Sequence, residues 1–215
     1  MEPLPDGIFG PVRNKPILLA SGALLCPSST ESDGWKVHAE LSFDGGHKWL
    51  KIPPLGGADL FEAIQPTILE HQDGRLQLLC RSKQSCIVES WSPDSGLTWS
   101  ELKRTSLPNP NSGIDAVTLR NGLQILVYNH STKAKEAWGG PRTPLNVAIS
   151  EDGKTWFAAA ILEDGEGEFS YPAVIQTRDL LVHVTYTWKR TSIRHVVFDP
   201  AKSVLRQIKN GEWPK

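Results

Sequence analysis

A short turn motif occurs three times along this chain and constrains its fold more than any other feature. The copies are Ser42–Trp49, Ser92–Trp99 and Ser150–Trp156, and their starts lie 50 and 58 residues apart. The first two share the pattern S-x-D-x-G-x-x-W, and the third is one residue shorter. The Asp side chain is expected to accept backbone N–H bonds within its turn, Gly supplies a positive φ, and the Trp ring covers the turn. Three copies at near-regular spacing predict a repeated structural unit.

The segments around the second and third copies repeat as well. Asp73-Gly74 and Asn121-Gly122 lie between apolar runs, which is a strong signal for a hairpin. The predicted strands are 65–70, 76–81, 86–92 and 102–107 in one unit, and 115–119, 124–129, 144–150 and 157–162 in the next. Each unit is therefore predicted to be four antiparallel strands joined by hairpins, which is one blade of a β-propeller.

Two further units fit the pattern less fully. The four units together predict an all-β fold, a β-propeller of four-stranded antiparallel blades. The 18 Gly and 16 Pro agree with short strands and many turns. We expect one domain over 1–215, with blades at approximately 11–57, 60–107, 110–164 and 169–208.

Composition argues against several classes of function. With 23 basic and 24 acidic residues there is no electrostatic reason to expect a nucleic-acid partner. No apolar run approaches the roughly 20 residues that span a bilayer, and the first residues lack the pattern of a signal peptide. Three cysteines are too few for a disulfide framework, and the spacing of Cys80 and Cys86 fits no common zinc site. We therefore expect no metal and no cofactor, whereas the compartment and the oligomeric state stay open.

Polar residues recur where each predicted inner strand starts and each second strand ends. In a propeller these positions lie near the central axis, where binding residues are commonly held. The residues at or next to these positions are Lys15, Gln65, Arg81, Asn111, Asp115, Asn129, Arg142, Glu168 and Tyr171. Their convergence predicts a pocket for a polar, anionic ligand, with arginine as the carboxylate partner. The alternative is that they only solvate a wide tunnel mouth. Likewise, Thr187–Arg190 is either a sugar-binding segment or a solvated hairpin tip.

The turn motif and the polar positions resemble the sialidase superfamily, within it the proteins with BNR (Asp-box) repeats, over essentially the whole chain. The resemblance implies a six-bladed propeller that binds a substrate carboxylate with three arginines. It also implies a Tyr nucleophile paired with a Glu, and an Asp acid/base. Arg81 resembles the second family arginine, Arg142 the third, and Tyr171 the nucleophile.

The chain also departs from the family pattern. Gln65 stands where the family has the Glu that activates the tyrosine, and a neutral amide cannot take a phenolic proton. Glu168 is the candidate substitute. The first arginine and the acid/base Asp belong to the family's first two blades, so the propeller is expected to lack its N-terminal blades. A closed four-bladed propeller is the alternative.

The resemblance implies a sialidase-like glycoside hydrolase that acts on an acidic sugar of a glycan. The catalytic candidates are Tyr171, Glu168 and Asp115. The substrate-binding candidates are Arg81, Arg142, Gln65, Asn111, Asn129 and Lys15. A non-catalytic carbohydrate-binding propeller and a scaffold for protein partners are the alternatives.

Overall fold

The computed structural model describes residues 3–56 and 61–214, and its regular elements are almost all β-strands. Within these ranges there are sixteen strands and one 3-10 turn, Pro200–Lys202. The predicted all-β class is confirmed. The predicted blade boundaries at 57 and 60 lie outside the described residues.

The strands form four antiparallel sheets. The first sheet contains β1 (Ile17–Leu18), β2 (Leu24–Thr30), β3 (Lys36–Ser42) and β4 (Leu50–Lys51). The second contains β5 (Ala63–Glu70), β6 (Leu76–Ser82), β7 (Cys86–Ser92) and β8 (Lys103–Pro108). Their strands neighbour one another in chain order, as predicted for blades built from hairpins.

The third and fourth sheets share this hairpin order. The third contains β9 (Asp115–Thr118), β10 (Gln124–Tyr128), β11 (Leu145–Ser150) and β12 (Trp156–Glu163). The fourth contains three strands, β13 (Phe169–Gln176), β14 (Val182–Trp188) and β15 (Ser192–Phe198). The last strand, β16 (Arg206–Gln207), pairs with β12 and so extends the third sheet.

The three copies of the turn motif have the predicted geometry. In the third copy, the Ser150 hydroxyl accepts from the Gly153 N–H at 2.9 Å and donates to the Asp152 carboxylate at 3.1 Å. That carboxylate accepts from the Thr155 N–H at 2.6 Å. The Trp156 indole N–H bonds the Gly153 carbonyl at 3.1 Å, and the equivalent bonds of the first two copies measure 2.8 and 2.9 Å. The side chains of each box therefore tie its own turn together.

The chain divides into two compact units. The first consists of Met1–Cys80 and Val88–Lys103, and the second of Arg81–Ile87 and Arg104–Lys215. In the first unit, Leu25 packs against Gly96 of the second Asp box, where an added Cβ would lie 3.0 Å from the Leu25 side chain. The buried Glu40 carboxylate accepts from the Gly10 N–H at 2.7 Å, so it fixes the chain's first residues to the first sheet.

The second unit has a core between its two sheets, and this core positions the candidate site. Its buried side chains are Leu119, Ile125, Val127, Leu145, Val147, Ile149, Phe169, Val174, Val182, Val184 and Tyr186. Each large apolar side chain buried there contributes roughly 1.5–3 kcal/mol. Within the described residues no helix is long and apolar enough to cross a membrane. In the same ranges no three His, Cys, Asp or Glu side chains are placed to bind a metal.

Candidate functional site

Tyr171 lies in an irregular part of β13. The register between β13 and β14 shifts between Ser170 and Ala173, and Tyr171 takes a φ of +54°. A left-handed conformation costs an L-residue about 1–2 kcal/mol, and it persists only where the surrounding structure imposes it. The side chain is 43% exposed. Such bulges redirect a side chain and are common beside active sites.

Two arginines of the second unit act on the Tyr171 hydroxyl. The Arg142 guanidinium carbon lies 5.3 Å from the centre of the Tyr171 ring. Burial alone would raise the pKa of Tyr171, but hydrogen bonding and positive charge from Arg142, together with those from Arg81, outweigh it and lower this pKa. The phenolate form is therefore easier to reach than in an ordinary tyrosine, as a nucleophile requires.

Arg81, near the end of β6, is only 2% exposed and is held in place by Asn111. Its Nε donates to the Asn111 Oδ1 at 3.0 Å, and the Asn111 Nδ2 donates to the Trp138 carbonyl at 2.8 Å. Trp138 is 61% exposed, and the centre of its ring lies 5.7 Å from the Arg81 guanidinium carbon. The Arg81 guanidinium is therefore oriented before any ligand binds.

Sequence reasoning missed Trp138 because it lies within the long loop between β10 and β11, away from the strand ends where binding residues were expected. The available signal was the Gly139-Gly140 pair that follows it. A Cβ at Gly140 would lie 2.4 Å from the Thr132 carbonyl oxygen, so this close approach requires glycine. Glycine at 140 therefore allows the two ends of the loop that carries Trp138 to approach each other, and the Gly140 N–H donates to the Pro110 carbonyl at 2.9 Å.

Glu168 binds cations on both sides of its carboxylate. Its Oε2 accepts from the Arg190 Nε at 2.7 Å, while its Oε1 accepts from the Ser170 hydroxyl at 3.0 Å. The same Oε1 lies 3.4 Å from Nη1 of Arg142. Burial raises the pKa of Glu168, but the bonds from Arg190 and Ser170 and the charge of Arg142 outweigh it and lower this pKa. A carboxylate held in this way is a weak base, and its role in activating Tyr171 stays a prediction.

Asp115 and Asn129 both bond the backbone of β13. The Asp115 Oδ2 accepts from the Val174 N–H at 2.8 Å. The Asn129 Nδ2 donates to the Phe169 carbonyl at 3.0 Å, and both side chains are buried. These bonds help to fix the strand that presents Tyr171. Direct contact of Asp115 or Asn129 with a substrate stays a prediction.

The other two predicted residues, Gln65 and Lys15, belong to the first unit. Gln65 has a φ of +55°, its N–H donates to the Ser29 hydroxyl at 3.1 Å, and its carbonyl accepts from the Asn14 Nδ2 at 3.0 Å. Lys15 is half-buried. Their predicted contacts with a substrate stay predictions. In the second unit, the structure gathers Arg81, Asn111, Arg142, Glu168 and Tyr171 around one surface.

Sheets that carry Asp-box turns, with a tyrosine beside two arginines, define a sialidase-like β-propeller. A profile described as "BNR repeat-like domain" matches residues 1–184, and the chain belongs to this family. The anhydrosialidase of the leech Macrobdella decora is 30% identical over 139 residues, which is 60% of this chain and 16% of that protein.

Solved sialidase structures have the same fold. The K499G mutant of NanB sialidase from Streptococcus pneumoniae superposes with a TM-score of 0.67 at 17% identity, over 88% of this chain and 31% of that chain. A leech intramolecular trans-sialidase complexed with 2,7-anhydro-Neu5Ac gives 0.64 at 19% identity, over 83% of this chain and 29% of that one. The predicted propeller fold is confirmed, and the chain spans about a third of the length of these structures.

Proposed function

We propose that this chain binds the carboxylate of an acidic sugar through Arg81 and Arg142 and acts on its glycosidic bond through Tyr171. The proposed activity is that of a sialidase-type glycoside hydrolase. The observation that supports it most directly is an exposed, conformationally strained tyrosine with Arg142 5.3 Å from its ring centre; Arg142 and Arg81 lower its pKa. The names of the leech and streptococcal relatives, an anhydrosialidase and a sialidase, support the same class of substrate.

The proposed reaction has two steps. The Tyr171 phenolate oxygen attacks the anomeric carbon, and the bond from that carbon to the leaving oxygen breaks with its electron pair on the leaving group. Water then attacks the anomeric carbon, and the bond to Tyr171 breaks with its electron pair on the phenolate. The proton that the water loses neutralises the oxyanion that left in the first step, so the products are the free sugar and an alcohol. Arg81 and Arg142 hold the sugar carboxylate and stabilise the phenolate when it leaves.

The test is the substitution Tyr171→Phe, assayed with an aryl sialoside, whose phenol leaves without strong acid assistance. Turnover should fall by roughly 10²-fold or more, because the nucleophilic oxygen is lost. Binding of 3′-sialyllactose should stay nearly the same, since both arginines remain. Tyr186→Phe is the matched control, because that hydroxyl bonds Glu163 and lies in the core. Unchanged turnover in Tyr171→Phe would contradict the proposed role of Tyr171 as the nucleophile.

A second candidate function, binding an acidic sugar without cleaving it, is favoured by one specific observation. Both oxygens of Glu168 are occupied by Ser170 and Arg190, and its pKa is lowered, so it is a poor proton acceptor for Tyr171. Under this function Arg142→Ala weakens binding of 3′-sialyllactose by about tenfold, as loss of a charge-assisted bond predicts. The wild-type protein then shows no turnover of the aryl sialoside, which separates the two functions.

A further inference from the structure

The tip of the β14–β15 hairpin contains two consecutive strained residues. The Thr191 N–H donates to the Trp188 carbonyl at 3.1 Å and closes a turn whose central residues are Lys189 and Arg190. Their φ angles are +51° and +56°. A turn with two left-handed residues favours Asn-Gly, because other side chains raise the free energy of that conformation.

The same chain uses the favoured pair at a turn of similar geometry. Asn210 and Gly211 have φ angles of +51° and +75°, and the Glu212 N–H donates to the Lys209 carbonyl at 2.9 Å. Lys-Arg at the β14–β15 tip is therefore a departure with a cost in stability. Strain of this kind is commonly kept where a side chain serves a function.

The Arg190 side chain is directed toward the candidate site. It bonds Glu168 at 2.7 Å, and the other oxygen of Glu168 lies 3.4 Å from Arg142. The Arg190 side chain is 70% exposed, so an incoming ligand can reach it. The Arg142 Nη1 is buried and has no hydrogen-bond partner within the described residues. A ligand anion that binds beside the Glu168 carboxylate would lie near both arginines, and one of its oxygens would satisfy that donor.

The local charge also favours an anion. Two arginines, Arg142 and Arg190, face one carboxylate, Glu168, and a third, Arg81, acts on the neighbouring Tyr171. The bond with Glu168 raises the pKa of Arg190, and the negative form of Tyr171 raises it further by a smaller amount. Positive charges outnumber the carboxylate at this site, so a ligand carboxylate is attracted to the arginines more than it is repelled by Glu168.

We infer that Arg190 is a further ligand-binding residue, which contacts the anionic group of the sugar together with Arg142. This inference rests on the proposed function, because it concerns the same site and the same class of ligand. The strained turn is the structural cost of placing this arginine against the Glu168 carboxylate, whose other oxygen lies near Arg142.

The experiment replaces the turn by the pair that its backbone prefers. The double variant Lys189→Asn/Arg190→Gly should melt a few degrees higher than the wild-type protein, because the strain is removed. Calorimetric titration with 3′-sialyllactose should show binding about tenfold weaker, since a charge-assisted bond is lost. The single variant Arg190→Gln should show the same loss of affinity without the gain in melting temperature.

Arg194→Gln is the matched control, because Arg194 lies on the same hairpin, is 50% exposed, and pairs with Glu163 away from Tyr171. Its affinity should stay within about twofold of the wild-type value, as expected for a remote surface charge. Wild-type affinity in both Arg190 variants, combined with lost affinity in Arg142→Ala, would overturn the inference and leave the proposed function intact. Absence of binding to the wild-type protein would overturn both.

Discussion

The Asp-box turns and the turns around Tyr171 use the same left-handed backbone in opposite ways. In the boxes a left-handed position is filled by Gly46, Gly96 and Gly153, with φ between +71° and +98°, and Ser95 of the second box also takes a φ of +59°. Around the candidate site Tyr171 and Arg190 take φ of +54° and +56°. In the boxes this backbone closes a turn over which a tryptophan packs, whereas at Tyr171 and Arg190 it places a charged or ionisable side chain at the candidate site. Changes in the boxes should therefore affect stability, and changes near Tyr171 should affect binding.

The largest effect is expected at the third Asp box. Trp156 is 2% exposed, and Trp156→Ala should destabilise the second unit by about 3–5 kcal/mol, the usual loss for a buried tryptophan. Urea denaturation followed by circular dichroism measures it. Trp49→Ala removes the half-buried tryptophan of the first box and should cost clearly less. Equal losses would show that the boxes act through their turn alone and not through burial.

A smaller effect, on binding, is expected at Asn111. Asn111→Ala removes the acceptor of the Arg81 Nε at 3.0 Å, so the arginine loses its fixed orientation. Affinity for 3′-sialyllactose should fall by about tenfold, as expected when a hydrogen bond to a charged group is lost. Asn121→Ala, in a hairpin turn of the same unit, is the control and should bind normally. If both variants bind like the wild-type protein, Asn111 has no part in the site.

The fold could be predicted from sequence because its signals are local. Asp73-Gly74 and Asn121-Gly122 mark two hairpins, and the predicted strands at 76–81 and 124–129 match β6 and β10 to within one residue. The pairing of β16 with the third sheet was not predicted, although its residues fall inside the range expected for the last blade. A two-residue strand has no periodic pattern, so its partner is decided by tertiary packing.

The candidate site was less predictable, because its chemistry depends on contacts between distant residues. The sequence motifs located Arg81, Arg142 and Tyr171, and the structure brings these three together. Nothing in the sequence indicates that both oxygens of Glu168 are occupied or that Asn111 orients Arg81. Positive φ angles at Tyr171 and Arg190 were also unforeseen, since local propensity favours other residues there.

The Asp boxes also predict a dependence of stability on pH. Burial raises the pKa of Asp152, but hydrogen bonds from Thr155, Lys154 and Ser150 outweigh it and lower this pKa in the folded protein. Its stabilisation is therefore present above the unfolded pKa of about 3.9 and is lost as the pH falls through the folded value. Asp152→Asn keeps an acceptor oxygen but does not titrate, so its stability should fall less steeply between about pH 4 and pH 2. Parallel curves from urea denaturation for the two proteins would contradict the assignment.

The smallest effect is spectroscopic and compares the site with the core directly. The chain has three tyrosines, and burial raises the pKa of Tyr128 well above its usual value and that of Tyr186 to about 12. Tyr171 is shifted in the opposite direction by Arg142 and Arg81, which outweigh its burial. An ultraviolet titration of the folded protein should therefore show one phenol ionising below the ordinary value of about 10, well separated from the other two. Tyr171→Phe should remove that first step, and Arg142→Gln should move it to higher pH, because the nearby positive charge that favours the phenolate is lost. A first step that persists in Tyr171→Phe would mean that the easily ionised tyrosine is Tyr128 or Tyr186 of the core. Tyr171 would then not differ from the core tyrosines in the way that its proposed role requires.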